Sequence, residues 1–221
     1  MHGKPVKCIV SHYTCDSEDD LWHLFATFDV HATRTQGQIF KGARPFLKDD
    51  RLHAMPLRIL SACGSALAII GDKGKPNFNR HSSISKTPKV EAVNDNSDAV
   101  LWVNGLINKN TQHLSRVGVI AAMIATRRAN KEMADSFWKV VADGIGVTSK
   151  DSQAWRLREK LLHSGASLNS RHGHFIAYSI CVSWWNSFVA GEKRNSVKIQ
   201  VLKEAPAVLS PSKKQELKLA A

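Results

Sequence analysis

The chain has 221 residues, is 43% hydrophobic and carries a formal net charge of +12, an ordinary composition for a folded domain with a sizeable core. The excess of Lys and Arg points to nucleic acid or another polyanion as partner, and the four scattered cysteines exclude a disulfide scaffold in favour of reduced thiols. MHGKPVKCIV has no signal-peptide core, and the longest apolar run, Leu60 to Ile70, is interrupted by Ser61, Gly64 and Ser65 and too short to span a bilayer, so the sequence predicts a cytoplasmic protein with no membrane partner.

Val6 to Val10, between Pro5 and Ser11-His12, reads as a short buried strand. The only well-alternating candidate to pair with it is Val197-Lys198-Ile199-Gln200-Val201, which would bring the two ends of the fold together. Ser17, followed by Glu18-Asp19-Asp20, reads as a helix start, with Leu21, Leu24, Phe25 and Phe28 at helical spacing. Asp29 to Ala32 is then a short loop, and Thr33 caps a helix whose Ile39 and Phe40 face inward.

Asp49 to Ile70 has Leu52, Met55, Ile59, Ala62 and Ala66 on one helical face, with Pro56 marking a kink or a second start. The Ser61/Ala62/Gly64/Ser65 cluster lets another helix come close, and Gly71 stops the run. Asp72 to Asn96, rich in Lys, Pro, Asn, Ser and Gly, reads as a long loop. Five helices follow: Ala99 to Ile107 with Trp102 and Leu106 on its face; one capped by Ser115 and ending at Arg127-Arg128; one capped by Asn130 and stopped by Gly144; one capped by Asp151 and ending at Gly165; and Gly173 to Ala190. The last is apolar nearly all round, which predicts the central helix of the bundle. The fold class is therefore mainly α: a small N-terminal α/β lobe over 1–48, a helical, five-helix bundle-like domain over 49–202 with a mobile loop at 72–96, and a solvated, disordered basic tail over 203–221.

The segment FATFDVHATRTQGQIF adds a resemblance. Phe25, Thr27 and Asp29, followed by Arg34 and Thr35, resemble a segment of phage- and plasmid-borne proteins with a ParB/sulfiredoxin-like N-terminal domain and a helical C-terminal half. Ala134-Asp135-Ser136-Phe137-Trp138 to Gly144, Leu157 to Leu161, and Trp185-Asn186-Ser187-Phe188 to Gly191-Glu192 follow in that group's order, so the likeness spans Val6 to Ile199. The group's upstream D-G-x-H-R-like motif has no counterpart here. The resemblance thus implies a truncated or split member, DNA as partner, and a partner chain completing the N-terminal lobe.

The candidate sites follow from residue chemistry. Asp29, Arg34 and Thr35 are either a phosphate cradle, with a guanidinium fork and a hydroxyl at a helix start, or an ion pair that shapes the loop. Arg127, Arg128 and Lys131 lie at one helix junction; Arg156, Lys160 and His163 share a face of the fourth bundle helix; Lys193 and Arg194 follow the fifth. Cationic helix ends suit phosphate-backbone contact, though the same groups also offset helix dipoles. Cys8, His12 and Cys15 could supply three zinc ligands only with a distant fourth such as His172 or His174, so strand and turn roles are favoured. Gly71-Asp-Lys-Gly-Lys-Pro lacks the spacing and hydroxyl of a phosphate loop. The sequence shows no complete catalytic constellation and calls for no cofactor or metal, so a nucleotide-hydrolysing or nuclease relative ranks behind nucleic-acid binding and behind a protein-interaction subunit.

Overall fold

A computed structural model describes residues 11–17, 20, 21, 24, 36–71, 76–78, 86–147, 152–164, 171–193 and 204–210. The chain divides into two units, Met1–Arg34 and Thr35–Ala221. In the first, Ser17 caps a helical turn as expected: its Oγ accepts from the Asp20 N–H at 3.1 Å and donates to the Asp20 carboxylate at 2.7 Å. The strand expected at Val6–Val10, the Phe25–Thr35 segment and the strand at Val197–Val201 lie outside the described residues.

The second unit is mainly α-helical, and its described residues hold no strand. Its helices are α1 (Gln36–Ala43), α2 (Asp50–His53), α3 (Leu57–Ile70), α4 (Lys86–Asp95), α5 (Ser97–Leu106), α6 (Val117–Ala129), α7 (Lys131–Asp143), α8 (Gln153–His163) and α9 (Arg171–Ala190). The five bundle helices of the sequence reading are α5 to α9. Ile39 and Phe40 of α1 are buried as expected, and the Phe40 ring lies over Gly64 of α3, where an added Cβ would come within 2.7 Å of it. That contact puts α1 in the helical unit and not in the lobe ending at residue 48. Pro56 proves to be a second start: it is the N-cap of α3, whose first turn needs no N–H from it.

Four local assignments change. The Asp72–Asn96 loop contains helix α4, which buries Val90, Val93 and the Lys89 side chain. Pro88 sits in its first turn, where the missing N–H costs nothing. Two valines are too narrow a stripe to stand out in a polar sequence, and packing on α3 supplies the stability that propensity lacks. The Phe78 ring is also anchored, edge-on to Phe175 and Tyr178 at 5.5 and 5.6 Å. The inward face of α5 is Val100 and Val103, not Trp102 and Leu106. Ser115 does not cap α6; a 3-10 turn at Gln112–Leu114 precedes it, and the Ser115 hydroxyl donates back to the Gln112 carbonyl. Helix α8 is capped by Ser152, whose Oγ accepts from the Trp155 N–H at 3.2 Å, and ends at Ser164, one residue before Gly165. By contrast Asn130 caps α7 through the Met133 N–H at 2.9 Å, and Gly144 closes it at φ +76°, as the sequence predicts.

The central helix is α6, not α9. It packs against α9, α3, α7 and α5, and Gly118 to Ile124 are buried without a break. Its small residues permit this: a Cβ on Gly118 would collide with the backbone of His174 in α9, so the two helices touch at that point. At the other end Thr126 is a buried junction. Its Oγ1 donates to the Ala122 carbonyl and accepts from Trp138 Nε1 of α7, both at 2.8 Å.

The solvated tail expected from Lys203 does not describe residues 204–210. That segment docks on α9, with the Asn186 Nδ2 donating to the Ala207 carbonyl at 2.8 Å and the Leu209 N–H donating to Asn186 Oδ1 at 2.9 Å. Trp185 Nε1 donates to the Leu209 carbonyl at 3.0 Å. The stretch lacks regular periodicity, so only the partner residues on α9 reveal that it docks.

Candidate nucleic-acid interface

The arginines at the α6–α7 junction are occupied by the fold. Arg127 lies 4.9 Å over the Trp102 ring and its Nε stands 3.8 Å from the Asp135 carboxylate. Arg128 donates to the Gly71 carbonyl at 2.6 Å and to Asn96 Oδ1 at 2.9 Å. Gly71 is the C-cap of α3, so Arg128 places its charge against the negative end of that helix. These two side chains join α3, α5, α6 and α7. The dipole-compensating role weighed for them in the sequence is the one Arg128 performs.

Helix α8 shows the same pattern. Glu159 gathers Arg158 at 3.1 Å and His163 at 3.7 Å, while Arg158 also lies 5.4 Å over the Trp155 ring. Arg156 is half-buried and already engaged. Arg116, which the sequence did not single out, donates to the Leu161 and Ser164 carbonyls and so caps the C-terminus of α8.

Among the described residues of these clusters, what remains for a ligand is lysine. Lys131, Lys160 and Lys193 are exposed, and their ammonium groups make no ion pair or hydrogen bond among the described residues. Lys139 of α7 joins them, one the sequence reading missed because a single lysine on an amphipathic helix carries no distinguishing signal. Glu132, Asp135 and Asp143 are exposed on the same helix, so its surface is of mixed sign. Asp29, Arg34, Thr35 and Arg194 lie outside the described residues. So does Cys8, and among the described residues no three His, Cys, Asp or Glu side chains gather as metal ligands.

A groove of about 970 Å³ runs beside α7. Phe137 and Val140 of α7, Ile145 and Val147 of the following turn, and Phe188 of α9 form its apolar lining. Lys131, Glu132 and Lys139 also border it. Ile145 is 62% exposed. Gly144 and Gly146, at φ +76° and +85°, carry the backbone through this turn in a conformation that glycine alone adopts readily. Behind the groove, Phe137 packs against Phe188 at 5.1 Å and Trp185 at 5.5 Å.

The buried titratable groups are structural. Burial pushes the Cys63 thiol up to about 12 and raises that of Cys181 further, so neither is a thiolate at neutral pH. His113 is held below its ordinary range, first by burial and then by the nearby Arg158 and Arg116 charges, against the raising effect of its bond to the Val141 carbonyl. That bond, 3.1 Å from Nε2, makes Nε2 the protonated nitrogen of the neutral ring and leaves Nδ1 buried without a hydrogen-bond partner.

Comparison with known proteins does not add to this geometry. No protein-family model, no curated protein and no solved structure matches the chain.

Proposed function

We propose that this protein binds nucleic acid, duplex DNA first among the candidates, through lysine contacts to the phosphate backbone. The observation that carries the reading is the division of labour among its cations. Arg116, Arg127, Arg128 and Arg158 are engaged by the fold, whereas Lys131, Lys139, Lys160 and Lys193 are exposed and unpaired among the described residues. Between Lys193 and Lys218 the sequence adds seven Lys and Arg against two Glu, a local excess suited to a polyanion. Lysine acts as a point charge without the planar fork used for base edges, so the contact is one of affinity and not of sequence readout. The resemblance to phage- and plasmid-borne ParB-like proteins agrees with this and extends it to a setting.

The test is titration of fluorescent duplex and single-stranded DNA at about 50 and 200 mM salt. Each phosphate neutralised contributes a slope of about −0.9 in log affinity against log salt, so four lysine contacts predict roughly a hundredfold weakening over that interval. Neutralising Lys131, Lys139, Lys160 and Lys193 together should flatten the slope. Absence of binding at the lower salt rejects the reading.

A second reading, a protein-interaction subunit, is favoured by the groove beside α7. Its apolar lining and the exposed Ile145 are features of a contact surface. Ile145→Ser, which adds no charge, would then weaken partner association while leaving DNA affinity unchanged.

A further inference from the structure

We propose that Asn186 and Trp185 of α9 form a clamp for extended peptide backbone, that residues 204–210 fill it as a built-in competitor, and that its ligand in trans is an extended segment of a partner chain, rich in small and apolar residues like 205–209. Three hydrogen bonds join α9 side chains to the segment's backbone. The Asn186 amide meets one carbonyl and one N–H two residues apart, as a neighbouring strand would. Nothing in those bonds depends on the identity of the segment's side chains. What they demand is an extended backbone with an N–H at the position of Leu209.

None of the side chains from 206 to 209 is fully buried. Ala207 and Leu209 are exposed, Leu209 by 46%, while Pro206 and Val208 are only half-buried. The fit therefore constrains backbone more than sequence, favouring an apolar residue at 208 and tolerating proline at 206, where none of the three bonds needs its N–H. Local opening is the expected behaviour of a surface segment held by such bonds.

The clamp also adjoins the groove beside α7. Trp185, which holds the Leu209 carbonyl, lies against Phe137 and Phe188 at 5.5 and 6.0 Å, and both of these line the groove. Residues 204–210 contribute nothing to that lining. A partner segment can thus gain apolar contacts that the intramolecular one does not make, which gives it the means to displace 204–210.

The full-length chain carrying Leu209→Pro tests this, because it removes the N–H that Asn186 accepts while altering an exposed residue. A fluorescent synthetic peptide with the sequence of residues 203–210 is the probe, read by anisotropy. A tethered segment has an effective concentration of about 1 mM, and a closed clamp holds it at least about tenfold in favour of binding. The free peptide should therefore bind Leu209→Pro with a dissociation constant near or below about 0.1 mM, and the unsubstituted chain about tenfold or more weaker. Adding Asn186→Ala to Leu209→Pro should abolish binding, as should proline at the Leu209 position of the peptide. Equal binding to the Leu209→Pro chain with and without Asn186, or no binding to Leu209→Pro at 1 mM peptide while its helical circular dichroism is intact, overturns the proposal. DNA affinity plays no part in this readout, so its result is independent of the nucleic-acid reading.

Discussion

Thr126 shows how much a single buried hydroxyl can hold. It returns its proton to the Ala122 carbonyl and receives that of the Trp138 indole, so two helices share one oxygen. Thr126→Val preserves shape but strands the Trp138 N–H in a core position that is fully buried. The expected cost is about 1–3 kcal/mol, read from the urea midpoint at unchanged slope. His113 makes a pH-dependent contribution. Its folded pKa lies below the ordinary 6.5, so below that pH the unfolded chain binds more protons than the folded one. Stability from this group is therefore fully present above about pH 6.5 and is lost as the pH falls toward the folded value. Urea unfolding between about pH 5 and 8 should show this decline, and His113→Gln should reduce it. A variant with an unchanged pH profile would remove His113 from the account.

At the scale of elements the decisive feature is the crossing of α6 and α9. Each is apolar on several sides, and hydrophobicity alone ranks α9 as the central helix. The close approach at Gly118 reverses that order, because it lets α6 sit among α9, α3, α7 and α5 together. Gly118→Ala adds only a methyl group, yet it would push against the His174 backbone, which cannot rotate away as a side chain can. Overpacking of this kind typically costs about 1–3 kcal/mol, more than offsetting the gain of about 1 kcal/mol from replacing glycine in a helix. Thermal unfolding should therefore show a lowered midpoint; a raised midpoint would mean that the helices can separate without loss. The cap at Asn130 and the glycine stop at Gly144 were readable from sequence because both act within one turn of chain. Helix α4 was not, since its two buried valines acquire meaning only against α3.

For the whole molecule, net charge and the charge available to a ligand are different quantities. Arg127 and Arg128 read as an exposed basic pair, but one is stacked on Trp102 and the other spans Gly71 and Asn96. Arg128→Ala is thus expected to lower stability, by about 1.5–3 kcal/mol for hydrogen bonds from a charged donor, and to leave the salt slope of DNA binding unchanged. The lysine substitutions should do the reverse, changing the slope with little effect on stability. Paired unfolding and titration measurements on the two sets separate structural from ligand-facing cations; a flattened slope for Arg128→Ala would return that arginine to the interface.

By itself the sequence determined the mainly α-helical class, the five helices from α5 to α9, the glycine stop of α7 and the predominance of positive charge, because these depend on composition, period and chemistry within a few residues. The tertiary structure alone decided which helix is central, which cations are occupied and where 204–210 rests. Those outcomes turn on pairs distant along the chain: Gly118 with His174, Arg128 with Gly71, and Asn186 with Leu209. No local pattern encodes such pairs, since each half is an ordinary glycine, arginine or asparagine until folding brings the other half within reach.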